Sequence, residues 1–288
     1  VKIFERPTAG SALPMREHHA PVATYALIGV NVLVFGMWTL SAGDPARSAL
    51  LVRYLTVSSS HVVKEGLWWT LLSAAFSHRL LVHLFINMVM LWGFGEILEG
   101  ALGVRRYLGF YLSAAVVSSA SHCLVSILLA RETPAMGASG AVSGLLVLYS
   151  VLFPHDRLLA FGIVPVRAFV WAVVFIAFDL WGLMVQGHGG SPVIGHGAHL
   201  GGALWGVLAG CWAFRGVVPR LGGAVEELSE ACRAELERIR AKISSGGAAS
   251  LTPDELELVA RLHGRARRAR QAGGGSGVHP RNVAGRES

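Results

Sequence analysis

The sequence predicts an all-α, polytopic membrane protein: a bundle of six membrane-crossing helices followed by a short helical tail. Three observations carry that prediction. Of 288 residues, 53% are hydrophobic and 15% charged, and the mean hydropathy is +0.52, too apolar for an ordinary water-soluble domain. Apolar segments near the ~20 residues that a bilayer crossing needs recur at 23–41, 80–98, 107–129, 138–154, 167–186 and 197–215. Lys and Arg avoid the interiors of these segments and collect in the N-terminal arm (Lys2, Arg6, Arg16), the 2–3 connection (Arg105, Arg106), the 4–5 connection (Arg157 and, at its edge, Arg167) and the C-terminal tail. The charge of +7 and pI near 9.8 therefore reflect membrane orientation, with both ends cytoplasmic, and no nucleic-acid partner is expected.

Residues 1–21 are expected to form a cytosolic arm. They hold three prolines and no apolar core flanked by a small-residue cleavage site, so no removable signal peptide is expected. Residues 22–216 contain the six spans. Between the first two lies a long connection, 42–79, that carries Leu50, Leu51, Leu55, Val57, Trp68 and Trp69. Tryptophan favours the membrane–water boundary because its ring is apolar and its N–H is polar, so this connection is expected to lie in the interface. After the sixth span, Val225, Leu228, Cys232, Leu236, Ile239 and Ile243 recur at three and four residues, the spacing of an amphipathic helix. Ser244-Ser245-Gly246-Gly247 stops it, and Thr252-Pro253-Asp254-Glu255 starts a second helix through about Arg270. Residues 217–271 thus read as a cytosolic helical hairpin, drawn to the membrane surface by its basic residues, and 272–288 as a disordered tail. Cys123, Cys211 and Cys232 form neither a disulfide framework nor a metal pattern, and no metal or cofactor is expected.

Within these apolar segments a few polar residues need a reason. Gly137-Ala138-Ser139-Gly140 sets a hydroxyl between glycines at the head of the fourth segment. A helix starting there would present unpaired N–H groups to a developing negative charge. Gly195-His196-Gly197-Ala198-His199 opens the sixth segment, and a serine with a histidine suggests a nucleophile with its base. Small residues such as Gly140/Gly144 and Ala198/Gly202 also read as close helix packing. His83 and Asn87, at i and i+4, share one face of the second segment, with His78 just before it. Polar groups in such a run are costly and point to function.

Trp68-Trp69, the set His78/His83/Asn87, Glu99 with Gly103, Gly137-Ala138-Ser139-Gly140, and Ala198-His199 with Gly202 occur in this order across 22–216. On these motifs the chain resembles the rhomboid family of intramembrane serine proteases. The resemblance implies Ser139 as nucleophile and His199 as general base in a dyad that needs no acid. It further implies His83, Asn87 and the Ser139 backbone N–H as oxyanion donors, with Gly137, Gly140 and Gly202 as supporting motif residues. Implied partners are the lipid bilayer and single-pass membrane proteins as substrates, in a bacterial cytoplasmic membrane. The alternative is a catalytically inactive rhomboid-like protein that binds membrane clients, which intact Ser139 and His199 argue against.

Two residues depart from the family pattern. Thr70 stands where arginine is common, and Ser143 where many members have an aromatic ring beside the histidine. His78 and His196 are expected to line the cavity or bond to loops, and His122 to serve helix packing. Asp179, a carboxylate inside the fifth span, lies at a depth similar to His199. It reads either as a structural or cavity residue, the favoured reading, under which Asp179→Asn keeps most activity, or as a third member beside the histidine.

Overall fold

The computed structural model describes residues 20–154, 156–160, 164–188 and 195–214, with 238–239, 241–242 and 252. The chain forms two compact units, Val1–Val225 and Glu226–Ser288. Apart from those few positions, the expected arm at 1–21, hairpin at 217–271 and tail at 272–288 lie outside the described residues.

The first unit is helical. A helix occurs at each of the six expected places: α1 (Val22–Leu40), α4 (Leu81–Leu102), α5 (Val104–Leu128), α6 (Ser139–Leu152), α7 (Ala168–Gly187) and α8 (His196–Leu208). In the first connection lie α2 (Pro45–Leu55) and α3 (Thr70–Ser73). Helices α1, α4, α5 and α7 are long and apolar enough to cross a membrane. The other two are shorter: α6 has 14 residues, and α8 has 13 before a π-helical turn, Ala209–Ala213. The fourth segment, expected to run through 154, ends at Leu152 because Pro154 cannot continue a helix.

Helix α6 is the centre of the bundle. Twelve of its fourteen residues are buried, and it packs on α8 first and then on α4, α5 and α7. Close approach between α6 and α8 needs small residues. A Cβ at Gly202 would lie 1.9 Å from the Gly140 carbonyl oxygen, and one at Gly206 2.6 Å from that of Gly144. Lipid-facing positions are apolar instead, among them Leu33, Leu81, Val82, Phe85, Trp181 and Met184.

Side chains satisfy the backbone at the heads of α1 and α2. The Glu99 carboxylate accepts from Ala23 N at 3.0 Å, Thr24 N at 2.8 Å and Thr24 Oγ1 at 2.8 Å, tying α4 to the head of α1. Asp44 caps α2 by accepting from Ala46 N and Arg47 N, with Pro45 at the first helical position. The first connection keeps Trp68 and Trp69 exposed, and Tyr54 stacks on Trp69. Thr70 is fully buried and its hydroxyl donates to the Leu67 carbonyl at 2.6 Å. A short antiparallel pair, β1 (Arg157–Ala160) with β2 (Val164–Arg167), joins α6 to α7.

Candidate active site

Ser139 is the first residue of α6, and the segment leading to it is held from three sides. Val57 and Ala135 exchange backbone hydrogen bonds of 2.9 and 2.8 Å, and Gly137 N donates to the Ala74 carbonyl at 2.9 Å. Glu132 accepts from Ser60 N at 2.9 Å and from the Ser59 hydroxyl. Desolvation raises the Glu132 carboxyl, but these hydrogen bonds outweigh it and hold the group at about 2, so it is ionised at neutral pH. Gly137 has φ +127°, a conformation that side chains disfavour. It places the chain against His83, so that a Cβ there would lie 2.7 Å from the His83 ring.

His78 is fully buried, and its Nε2 accepts from Ala138 N at 3.3 Å. Burial first, and the neighbouring His83 second, lower His78 from 6.5 to about 4, which keeps the ring neutral; because Nε2 accepts, the one ring proton sits on Nδ1. Its loop is fastened by Trp38, whose Nε1 donates to Ser77 Oγ at 2.7 Å. The rings of His78 and His83 meet edge-on with centroids 4.9 Å apart. Asn87 Nδ2 donates to the His83 carbonyl at 2.9 Å. The amide has two N–H bonds, so this contact leaves the other for an acceptor in the cavity that His83 and Asn87 line.

On the far side, α8 presents His199. Its Nε2 lies 2.9 Å from Ser139 Oγ, and its Nδ1 lies 3.0 Å from Asp179 Oδ1. His196 Nδ1 meets the same oxygen at 2.7 Å. A carboxylate only accepts, so each Nδ1 carries the proton and His199 Nε2 is left to accept from the serine hydroxyl. Asp179 therefore reaches His199, in keeping with the similar depth that the sequence gives the two residues. Phe175, one turn before Asp179 on α7, flanks the His199 ring at 5.7 Å. Ser143 turns its hydroxyl back to the Ser139 carbonyl at 2.6 Å. The aromatic neighbour missing at 143 is thus supplied from α7. His122 donates from Nε2 to the Thr133 carbonyl at 2.7 Å, a loop contact as well as a packing one.

Ser139, His199, His83 and Asn87 all line one cavity of about 1600 Å³. Its walls are mostly apolar, with Val82, Ile86 and Met90 from α4 and Trp171 and Phe175 from α7. Among the described residues, Asp179, His196 and His199 form the one group whose donor atoms, within 4.8 Å of one another, could hold a metal ion. Those same atoms are already joined by hydrogen bonds.

A family model described as the rhomboid domain matches residues 65–216, more than half of the chain. The chain belongs to the rhomboid family. Rhomboid protein 1, mitochondrial, of Saccharomyces cerevisiae is 35% identical over 204 residues, covering 69% of this chain and 55% of that protein. Presenilin-associated rhomboid-like protein, mitochondrial, of Homo sapiens is 33% identical over 184 residues, covering 63% and 45%. Rhomboid protease GluP of Bacillus subtilis is 27% identical over 191 residues, covering 66% and 34%. The chain spans about half the length, or less, of these rhomboid relatives. They place it in a family of multi-pass membrane proteins that includes serine proteases.

The relatives correct one expectation. Proteins matched at 31–35% identity carry mitochondrial names, which points to a mitochondrial rather than a bacterial inner membrane. The cytoplasmic placement of both termini falls with it. Charge bias orients spans relative to a membrane without saying which membrane it is.

Proposed function

We propose that this rhomboid-family chain is an intramembrane serine endopeptidase that cleaves single-pass transmembrane proteins. Ser139 is the nucleophile, His199 the general base, and His83, Asn87 and the Ser139 N–H the oxyanion donors. The observation that carries this reading is the 2.9 Å contact between Ser139 Oγ and His199 Nε2 at the floor of a largely apolar cavity.

In the reaction, Ser139 Oγ attacks the scissile carbonyl carbon while His199 Nε2 takes the hydroxyl proton. Charge on the carbonyl oxygen is met by N–H groups fixed in a site of low dielectric, where they act strongly. Collapse breaks the C–N bond, and the imidazolium gives its proton to the leaving amine, leaving an acyl ester on Ser139. Water then attacks that ester with His199 again as base, which releases the acid and restores the hydroxyl. Apolar walls from α4 and α7 suit a segment of a membrane-spanning peptide. A role in binding clients without cleaving them is disfavoured, because it gives no reason for a serine and a histidine at this distance.

The test is labelling of purified protein with a fluorophosphonate together with cleavage of a model membrane substrate. Wild-type protein should do both, and Ser139→Ala and His199→Ala, at normal melting behaviour, neither. Cleavage at wild-type rates by either variant refutes the assignment.

A further inference from the structure

Three successive positions on one face of α7 converge on the two histidines of α8. Phe175, Asp179 and Gly182 stand at i, i+4 and i+7, one stripe of a helix. Phe175 flanks His199. Asp179 Oδ1 sits 3.0 Å from His199 Nδ1 and 2.7 Å from His196 Nδ1. Gly182 makes room for the second ring: a Cβ there would lie 2.2 Å from His196 Nε2. Phe178 closes over His196 from the same helix, with centroids 5.8 Å apart. Asp179 is fully buried, and among the described residues its Oδ2 has no hydrogen-bond partner.

A buried carboxylate in an apolar helix is held at high cost unless it is paired. Here both contacts fall on a single oxygen, and one of them goes to the imidazole that faces Ser139. We infer that Asp179 is a positioning residue for the proteolytic reaction: it fixes His199 as the Nδ1–H tautomer, with Nε2 toward Ser139, while His196 braces the carboxylate from the other side. This rests on the assignment of Ser139 and His199 above. It makes the catalytic centre a serine–histidine pair oriented by an aspartate rather than an unsupported dyad, and reverses the expectation that Asp179→Asn keeps most activity.

The geometry explains why an acid is tolerated in α7. Without Asp179, His199 Nδ1 loses its partner on this helix, and a neutral imidazole is free to carry its proton on Nε2, where it cannot take one from the hydroxyl. His196 has no contact with Ser139 among those described; it reaches His199 through the shared carboxylate and through an edge-on ring contact with centroids 6.4 Å apart. Its loss should therefore be the smaller of the two.

The test uses the full chain in detergent or nanodiscs, with a model membrane substrate, fluorophosphonate labelling and ring-nitrogen NMR of isotopically labelled histidine. Asp179→Asn should lower kcat and the labelling rate by on the order of 10²- to 10⁴-fold, by analogy with loss of the orienting acid in soluble serine proteases. Its KM should stay within about twofold, because the residue binds no substrate. His196→Phe, which keeps a ring beside Gly182, should cost about tenfold, the scale of one buried hydrogen bond. In the wild type, the His199 resonances, identified by their loss in His199→Gln, should report the proton on Nδ1. A folded Asp179→Asn protein with wild-type kcat, or a wild-type His199 carrying its proton on Nε2, overturns the inference. The NMR result decides even where Asp179→Asn does not fold. If instead Ser139→Ala still cleaves, the nucleophile assignment fails and not the role of Asp179 alone.

Discussion

Replacing Gly202 by alanine adds one methyl group at the tightest point between α6 and α8. That Cβ would lie 1.9 Å from the Gly140 carbonyl oxygen and 2.9 Å from its carbon, both backbone atoms that cannot rotate away. Ordinary carbon–oxygen contact begins at about 3.3 Å, so the helices must separate by roughly 1.4 Å or shear. Ser139 is one residue from Gly140, and His199 three residues from Gly202, so the 2.9 Å contact between them absorbs most of that displacement. A misplacement of about 1 Å costs on the order of 10²-fold in rate, and overpacking of this kind about 1–3 kcal/mol in stability. The assay is kcat for a model membrane substrate together with the melting temperature in detergent. Gly100→Ala is the control, because nothing lies within 4 Å of a Cβ at that position. A Gly202→Ala enzyme that keeps the kcat of wild type, while folded, would refute the claim that the α6–α8 approach sets the serine–histidine distance.

Two further outcomes are expected. Asn87→Ala and His83→Ala should each lower kcat, by up to about 10²–10³-fold for one oxyanion donor, with His83→Ala the more severe; unchanged kinetics in both would show that this face of α4 does not meet the oxyanion. For His78, whose folded value of about 4 lies below its ordinary 6.5, the unfolded chain binds more protons between these values, so stability is full above pH 6.5 and falls by about 3 kcal/mol as pH drops toward 4. The melting temperature followed over that range should show this slope, and His78→Gln should flatten it.

Much of the bundle was legible because apolar runs of bilayer length report membrane helices directly: a helix lies at each of the six places, and four of these are long and apolar enough to cross a membrane. Glycine spacing at 140, 144, 202 and 206 announced the close approach of α6 and α8, since nothing but a missing side chain permits it. The β1–β2 pair left no such signal: strands of four residues, one containing Pro165, have neither the length nor the alternation to stand out. Glu132 was equally silent, because a lone carboxylate in a loop cannot be paired by eye with Ser59 and Ser60 more than seventy residues earlier. For Asp179 the signal was present but incomplete. Its position gave a depth near that of His199, yet no periodicity says which neighbour its face of the helix meets. The family pattern sets a ring at 143, where this chain has serine, whereas the ring beside His199 is Phe175, on another helix.

Under the proposed function, the short length of α6 is what reconciles hydrolysis with a lipid surrounding. Fourteen residues at ~1.5 Å each make about 21 Å, some 10 Å less than a hydrocarbon core of ~30 Å. A helix that size cannot begin at one surface and end at the other, so the chain must travel part of the distance in non-helical form. Such backbone is tolerated at membrane depth only where protein partners or a wet cavity satisfy its polar groups. Segment 131–138 has both: backbone bonds to Val57 and Ala74, Glu132 on Ser59 and Ser60, His78 on Ala138 N, and the large cavity along its flank. The first connection, which contributes most of these contacts, therefore acts on the reaction without touching it. It fixes Ser139 at the head of the short α6, beside the cavity that the proposed hydrolysis would use, with apolar walls from α4 and α7.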